Sequence, residues 1–230
     1  SNLGQILAPI STLAQTALAK TTEKAINFEE SFAGVKKTVD ASAETLEIVS
    51  RQFRELAKEI PLSTTEINKV GEMAGQLGVE AKNLGVFTET MLKLGSSTNL
   101  LAEEASTAIA RIFNVVSGNV NDNISNVSRF GSALVALGNN AAATESEILD
   151  MTTRLASAGA IYNVSEADLL ALGTAMASVG LKAEAGGSSV ATIMNNIEKL
   201  VASNSDKLET WAELVGTSTE QFSSAWRNNA

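Results

Sequence analysis

Three groups of side chains in this 230-residue chain have types that could do chemistry. Glu145, Glu147 and Asp150 bring three carboxylates close together in sequence, the makings of a paired-acid site. Asn119, Asn121, Asp122 and Asn123 offer a row of oxygens of the kind a hard cation takes. Gly186-Gly187-Ser188-Ser189 has the small-residue density of a phosphate-cradling loop. Spacing argues against each. Glu145 and Glu147 fall where a helix begins, and a helix N-terminus favours negative charge. Glu147 also stands three residues after Thr144, the partner position of a capping box. The asparagine run lacks the alternating ligands, central glycine and closing glutamate of a calcium loop, and reads as a loop leading into a helix. The glycine pair has no Lys-Ser or Lys-Thr behind it; paired small residues suit a bend or close approach of two helices.

Composition narrows the chemistry further. The chain has no His and no Cys, which removes the commonest general base, the commonest metal ligand and every thiolate. No catalytic, cofactor-binding or metal-binding residue is assigned, no cofactor is expected, and the chain reads as a non-enzyme. Its net charge is −9, without the basic patch of a free duplex-binding protein, so direct nucleic-acid binding is not expected. Lys36-Lys37 is the adjacent basic pair, explained by a solvated helix face. Aromatic residues make up 4% of the chain, which leaves Ala, Leu, Ile and Val to pack the core, with Met91, Met151, Met176 and Met194 as fillers. Trp211, Phe222 and Trp226 gather near the C-terminus, as expected where two short helices pack. Residues 1–19 are uncharged, but their polar side chains and the absence of a preceding basic residue fit neither a signal peptide nor a membrane span. The chain starts Ser1-Asn2 rather than with Met, so it reads as a fragment of a longer protein behind a tag remnant.

These residues sit in a sequence with helical periodicity almost throughout. Apolar residues step by three and four from Leu3 to Val39, a long N-terminal helix that Pro9 kinks or starts. A second helix is expected from Ala43 to Glu59, with Leu46, Val49, Phe53, Leu56 and Ile60 on one face and Pro61 after its end. Capping boxes are legible at Ser63–Glu66, Thr144–Glu147 and Thr217–Glu220, with a weaker version at Ser165 and Asp168. Gly78, Gly95, Gly118, Gly138, Gly159 and Gly180 read as helix stops. No strand pattern appears. About nine or ten helices are expected.

Residues 63–115 align without gaps on residues 144–196, an offset of 81. Glu66, Ile67 and Gly78 match Glu147, Ile148 and Gly159. Ser97, Leu100, Ala102 and Glu103 match Ser178, Leu181, Ala183 and Glu184, and Ala110, Ile112 and Asn114 match Ala191, Ile193 and Asn195. The expected fold is therefore all-α: a multi-helix compact bundle with a long N-terminal helix and an internal helical repeat over 63–115 and 144–196. The domain reading is residues 1–60 as long N-terminal helix and helical hairpin, 61–200 as duplicated helical core, and 201–230 as short C-terminal helices that are truncated in this sequence.

Several segments, taken in order, resemble the core region of tape-measure proteins from tailed bacteriophages. They run from Ala25-Ile26-Asn27-Phe28-Glu29-Glu30-Ser31-Phe32 with Val35-Lys36-Lys37, through Glu59-Ile60-Pro61-Leu62-Ser63-Thr64-Thr65-Glu66-Ile67 and Gly75-Gln76-Leu77-Gly78-Val79. They continue through Phe87-Thr88-Glu89-Thr90-Met91-Leu92-Lys93-Leu94-Gly95 and Leu101-Ala102-Glu103-Glu104-Ala105. Arg129-Phe130-Gly131 then leads into Gly138-Asn139-Asn140-Ala141-Ala142-Ala143-Thr144-Glu145, and Ser178-Val179-Gly180-Leu181 follows. The resemblance covers about residues 25–200. It implies a virion structural protein that sits in the tail lumen or tip, sets tail length during assembly and leaves the tube during DNA ejection. It implies tail-tube, tail-tip and tail-assembly chaperone proteins as partners, with self-association possible and membrane contact not expected of this segment. It carries no catalytic motif. The alternative reading is a helical secreted effector or adaptor domain unrelated to phage tails.

Overall fold

The structure is a computed structural model that describes residues 23–228. Helix accounts for 81% of them, and they contain no strand. Eleven α-helices follow one another, one or two more than expected: α1 over residues 23–38, α2 Ala43–Glu59, α3 Thr64–Gln76, α4 Ala81–Ser97, α5 Ala102–Val116, α6 Ile124–Asn140, α7 Glu145–Ile161, α8 Glu166–Ser178, α9 Ala183–Ala202, α10 Leu208–Leu214 and α11 Thr219–Asn228. A 3-10 turn, Val120–Asn123, precedes α6. The part of the long N-terminal helix read from Leu3 to Thr22, including Pro9, lies outside the described residues. The chain packs as two compact units, one through Thr88 and one from Glu89 onward, with the boundary inside α4. The three-part division of the sequence follows its repeat rather than its packing and stands as a proposal.

Helix starts follow local chemistry closely. Ser63 accepts from the Glu66 amide while the Glu66 carboxylate accepts from the Ser63 amide at 2.9 Å, and Thr144 with Glu147 repeats the arrangement at 2.8 Å. Ser165 caps α8 through the Asp168 amide. The third expected box sits one residue later than read. Ser218 accepts from the Gln221 amide and Gln221 returns a bond to the Ser218 amide, so Gln221 rather than Glu220 closes it.

Helix stops correct the sequence reading more often. Gly78 closes α3 at φ +87°, with its own amide bonded to the Gly75 carbonyl and that of Val79 to Ala74, the paired bonds of a Schellman motif. Gly118 and Gly180 also take positive φ. Gly95, Gly138 and Gly159 do not end helices; they lie inside α4, α6 and α7. At Gly159 the reason is packing, because an added Cβ would meet the Leu169 side chain at 2.5 Å. The α7 stop falls instead to Asn163 at φ 62°, with the Val164 amide reaching back to the Gly159 carbonyl.

The core also departs from expectation. Aromatics are few, but six of the seven Phe are buried: Phe28, Phe32, Phe53, Phe87, Phe113 and Phe130. In the first unit Phe53 is fully buried, meets Phe32 edge-on at 6.1 Å between centroids, and lies so close to Gly71 of α3 that a Cβ there would fall 2.3 Å from its ring. In the second, Phe113 of α5 meets Phe130 of α6 edge-on at 5.7 Å. α7 packs against α5, α6, α8 and α9. Met91 and Met151 are buried as expected, while Met176 and Met194 are partly buried.

The repeat reaches further than the sequence alignment. α3 and α7 start 81 residues apart, α4 and α8 end 81 apart, and α5 and α9 start 81 apart. α2 and α6, upstream of the aligned segments, keep the same spacing at both ends. Buried positions stay in phase: Phe28 with Ile109, Phe32 with Phe113, Val39 with Val120, Val49 with Phe130, Phe53 with Leu134, Ile67 with Ile148 and Val70 with Met151. The period is therefore a four-helix repeat, α1–α4 followed by α5–α8, after which α9 opens a third.

Candidate interaction surfaces

The sequence candidates for chemistry resolve into structural roles. Glu147 is spent on the α7 cap, and the Thr144 amide and hydroxyl bonds hold its carboxyl below the ordinary carboxylate range. Asp150 faces Arg154 one turn on at 3.8 Å. Glu145 lies against Gly138, where a Cβ would meet its carboxyl carbon at 2.4 Å. The three carboxylates thus point to different tasks. No group of three or more metal-ligating side chains occurs among the described residues. The Asn119 side-chain oxygen accepts from the Asn121 amide at 3.0 Å, and that of Asn114 accepts from the Val120 amide at 2.9 Å, so these oxygens shape the 3-10 turn before α6.

Gly186 and Gly187 sit inside α9 and are buried. They allow close approach of α7 to α9. A Cβ on Gly186 would meet the flexible end of Met151 at 2.6 Å; one on Gly187 would meet the Arg154 Cβ at 2.8 Å and the Arg154 carbonyl at 3.3 Å.

On the first unit, charge around Glu29 is paired locally. Glu29 accepts from Arg54 at 2.8 Å and from Lys36 at 3.5 Å; Arg54 stacks on the Phe28 ring at 4.2 Å and Lys36 lies 5.5 Å from that of Phe32. Glu29, Phe32, Lys36 and Arg54 border a groove of about 450 Å³ that also takes in Leu46, Glu47 and Arg51. Its cations share the groove with two carboxylates, which is not the uninterrupted basic track that follows a phosphate backbone.

One organising residue escaped the sequence reading. Asn68 is fully buried in α3, and its Nδ2 donates to the Phe28 carbonyl at 3.2 Å and to Ser31 Oγ at 2.7 Å, both on α1. A buried amide that bonds only in one alignment fixes how α3 lies along α1. Its counterpart 81 residues on is Leu149, so only its place in a helical apolar face could have flagged it.

The C-terminal aromatics pack as expected. Phe222 and Trp226 stack at 6.3 Å and cover Ile197, Val201 and Leu208 together with Trp211, and Trp226 Nε1 donates to Glu198 at 2.7 Å. No helix of the described residues is long and apolar enough to cross a membrane.

A family model described as phage-related minor tail protein matches residues 50–225, over three quarters of the chain. The chain belongs to that family. A phage-tail structural role follows, with association among tail components and a place in the virion tail. This overturns the alternative of a domain unrelated to phage tails. No curated protein and no solved structure matches the chain. The family match begins within α2 and ends within α11, so it takes in the second repeat whole and the opening of the third.

The capping boxes give this family member a predictable response to acid. Hydrogen bonds from the Ser63 hydroxyl and amide hold Glu66 below its ordinary pKa, and those from the Thr144 amide and hydroxyl do the same for Glu147. A carboxyl depressed in the folded state stabilises above its unfolded pKa, near about 4.3, and that contribution is lost as pH falls through the folded value. Glu66→Gln with Glu147→Gln keeps an acceptor but removes the charge. We expect the double variant to lose less stability than the parent between pH 7 and pH 3 in urea melts. Parallel pH profiles would refute the assignment.

Proposed function

We propose that this chain is a segment of the tail's length-determining protein, a tape measure that occupies the tail lumen or tip during assembly and leaves with DNA ejection. The observation that carries the reading is the four-helix repeat: a protein whose task is to span a distance is extended by adding like units, and α1–α4 and α5–α8 are such units in one chain. The ordered resemblance over residues 25–200 and membership of the minor tail family support it. The role is structural rather than enzymatic, with tube, tip and assembly-chaperone proteins as the partners. A net charge of −9 and locally paired cations suit a protein that must not hold DNA as it passes.

A folded unit fits a narrow lumen only if it sits where the tail widens or opens to pass through. The buried Phe set argues for an ordered folded state and so for the wide end of the tail, with unfolding reserved for ejection. The test is genetic. In a phage carrying this chain in its own full-length protein, in-frame deletion of residues 63–143, one period, should shorten tails by a fixed step in electron micrographs, and its duplication should lengthen them. Viable phage with unchanged tails in both cases would contradict the proposal.

A further inference from the structure

In the second repeat the C-terminal half of α4 lies against α6. Thr90 Oγ1 stands 3.0 Å from Ser128 Oγ, and a Cβ on Gly131 would meet the side chains of Thr90 and Leu94 at 3.3 Å. Met91, Leu94 and Val127 are buried.

One period earlier the same place is open. The 450 Å³ groove on α1 and α2 is lined by Phe32, Leu46, Glu47 and Ser50, the counterparts of Phe113, Val127, Ser128 and Gly131. Val127 and Gly131 are buried, whereas Leu46 and Ser50 are partly exposed. Nothing among the described residues fills the groove.

The sequence holds a segment in register for it. Counted back 81 residues from α4, Leu3-Gly4 and Leu13 repeat Leu84-Gly85 and Leu94, and Ile10 stands for Met91. Thr12, Gln15 and Thr16 stand for the polar Lys93, Ser96 and Ser97. Pro9 stands for Thr90, and proline suits the first turn of a helix. Lys20 stands where Leu101 and Lys182 precede α5 and α9 in extended geometry.

We infer that the α1–α2 groove is the seat of the chain's own residues 9–16, laid on α2 as a short helix with Ile10 and Leu13 inward. The helix read as continuous from Leu3 to Val39 then parts between residues 16 and 21, as α4 and α5 part between Ser97 and Ala102. Charge fits this occupant. The groove sets Lys36, Arg51 and Arg54 beside Glu29 and Glu47, and residues 1–19 carry no charge. A neutral helix covers the apolar floor at Phe32 and Leu46 and adds no unpaired ion to it, the costly kind of burial. The inference rests on the repeat and not on the tail-length reading, so either can fail alone.

The chain has no Cys, so any disulfide in it reports an introduced pair. Three double variants of the whole chain are oxidised under mild conditions and followed on non-reducing gels. Thr90→Cys with Ser128→Cys is the reference pair and also reports an intact fold. Pro9→Cys with Glu47→Cys is its counterpart in the seat. Pro9→Cys with Glu59→Cys is out of register, about 18 Å further along α2 at 1.5 Å per residue. The seat pair should close within one chain about tenfold or more faster than the out-of-register pair, because docking raises the effective concentration of the two thiols. Adding Ile10→Asp and Leu13→Asp should remove that advantage. Equal rates for the two Pro9 pairs, or a rate that the aspartates leave unchanged, overturns the seat. A seat pair that links two chains rather than one overturns the choice of occupant in favour of a second copy.

Discussion

Phe53→Ala should lower the unfolding free energy by about 3–5 kcal/mol, the usual cost of removing a fully buried aromatic ring. The ring sits with no exposed surface between α1 and α3, edge-on to Phe32 and against the bare Cα of Gly71. Nothing small can take its place, because Gly71 offers no side chain to fall into the space. Total stability of a domain is about 5–15 kcal/mol, so the first unit would be left near its threshold. Urea melts at neutral pH measure the loss. A change below about 1 kcal/mol, the median of ordinary substitutions, would mean that Phe53 is not the centre of this packing.

The second large effect separates two neighbouring glycines. Gly187→Val should destabilise by about 1–3 kcal/mol or more, because its Cβ would be driven onto the Cβ and carbonyl of Arg154, which α7 holds in place. Gly186→Ala should be close to neutral. Its Cβ would meet the far ends of Met151 and Met176, which can swing aside, and alanine gains roughly 1 kcal/mol of helix propensity over glycine. Thermal melts of the two variants would show whether the asymmetry exists; equal shifts would refute it.

Local signals were the legible part of this chain. The bounds of α2, the boxes at Ser63 and Thr144, and the cap at Ser165 depend on side chains within a few residues of the backbone they bind, so the sequence displays them. What was misread depends on partners far along the chain. Gly159 resembles a stop in isolation, and only Leu169 of α8 explains why it must be small in mid-helix. Asn68 went unread, because only α1 laid over it gives its amide a partner. A low aromatic fraction left the core to Ala, Leu, Ile and Val, because composition counts Phe residues but does not show that six of them are buried.

The 81-residue spacing has an evolutionary corollary. If tail length follows the length of this protein, genetic gain or loss of one repeat acts as a single mutational step. One period is about 120 Å as continuous helix at 1.5 Å per residue, or roughly 270–290 Å as fully extended chain. Related phages that differ by whole repeats would then have tails falling on a ladder of discrete lengths, and the rung height would tell whether a repeat measures as extended chain, as continuous helix or, at a shorter step, as the folded bundle while the tube polymerises around it.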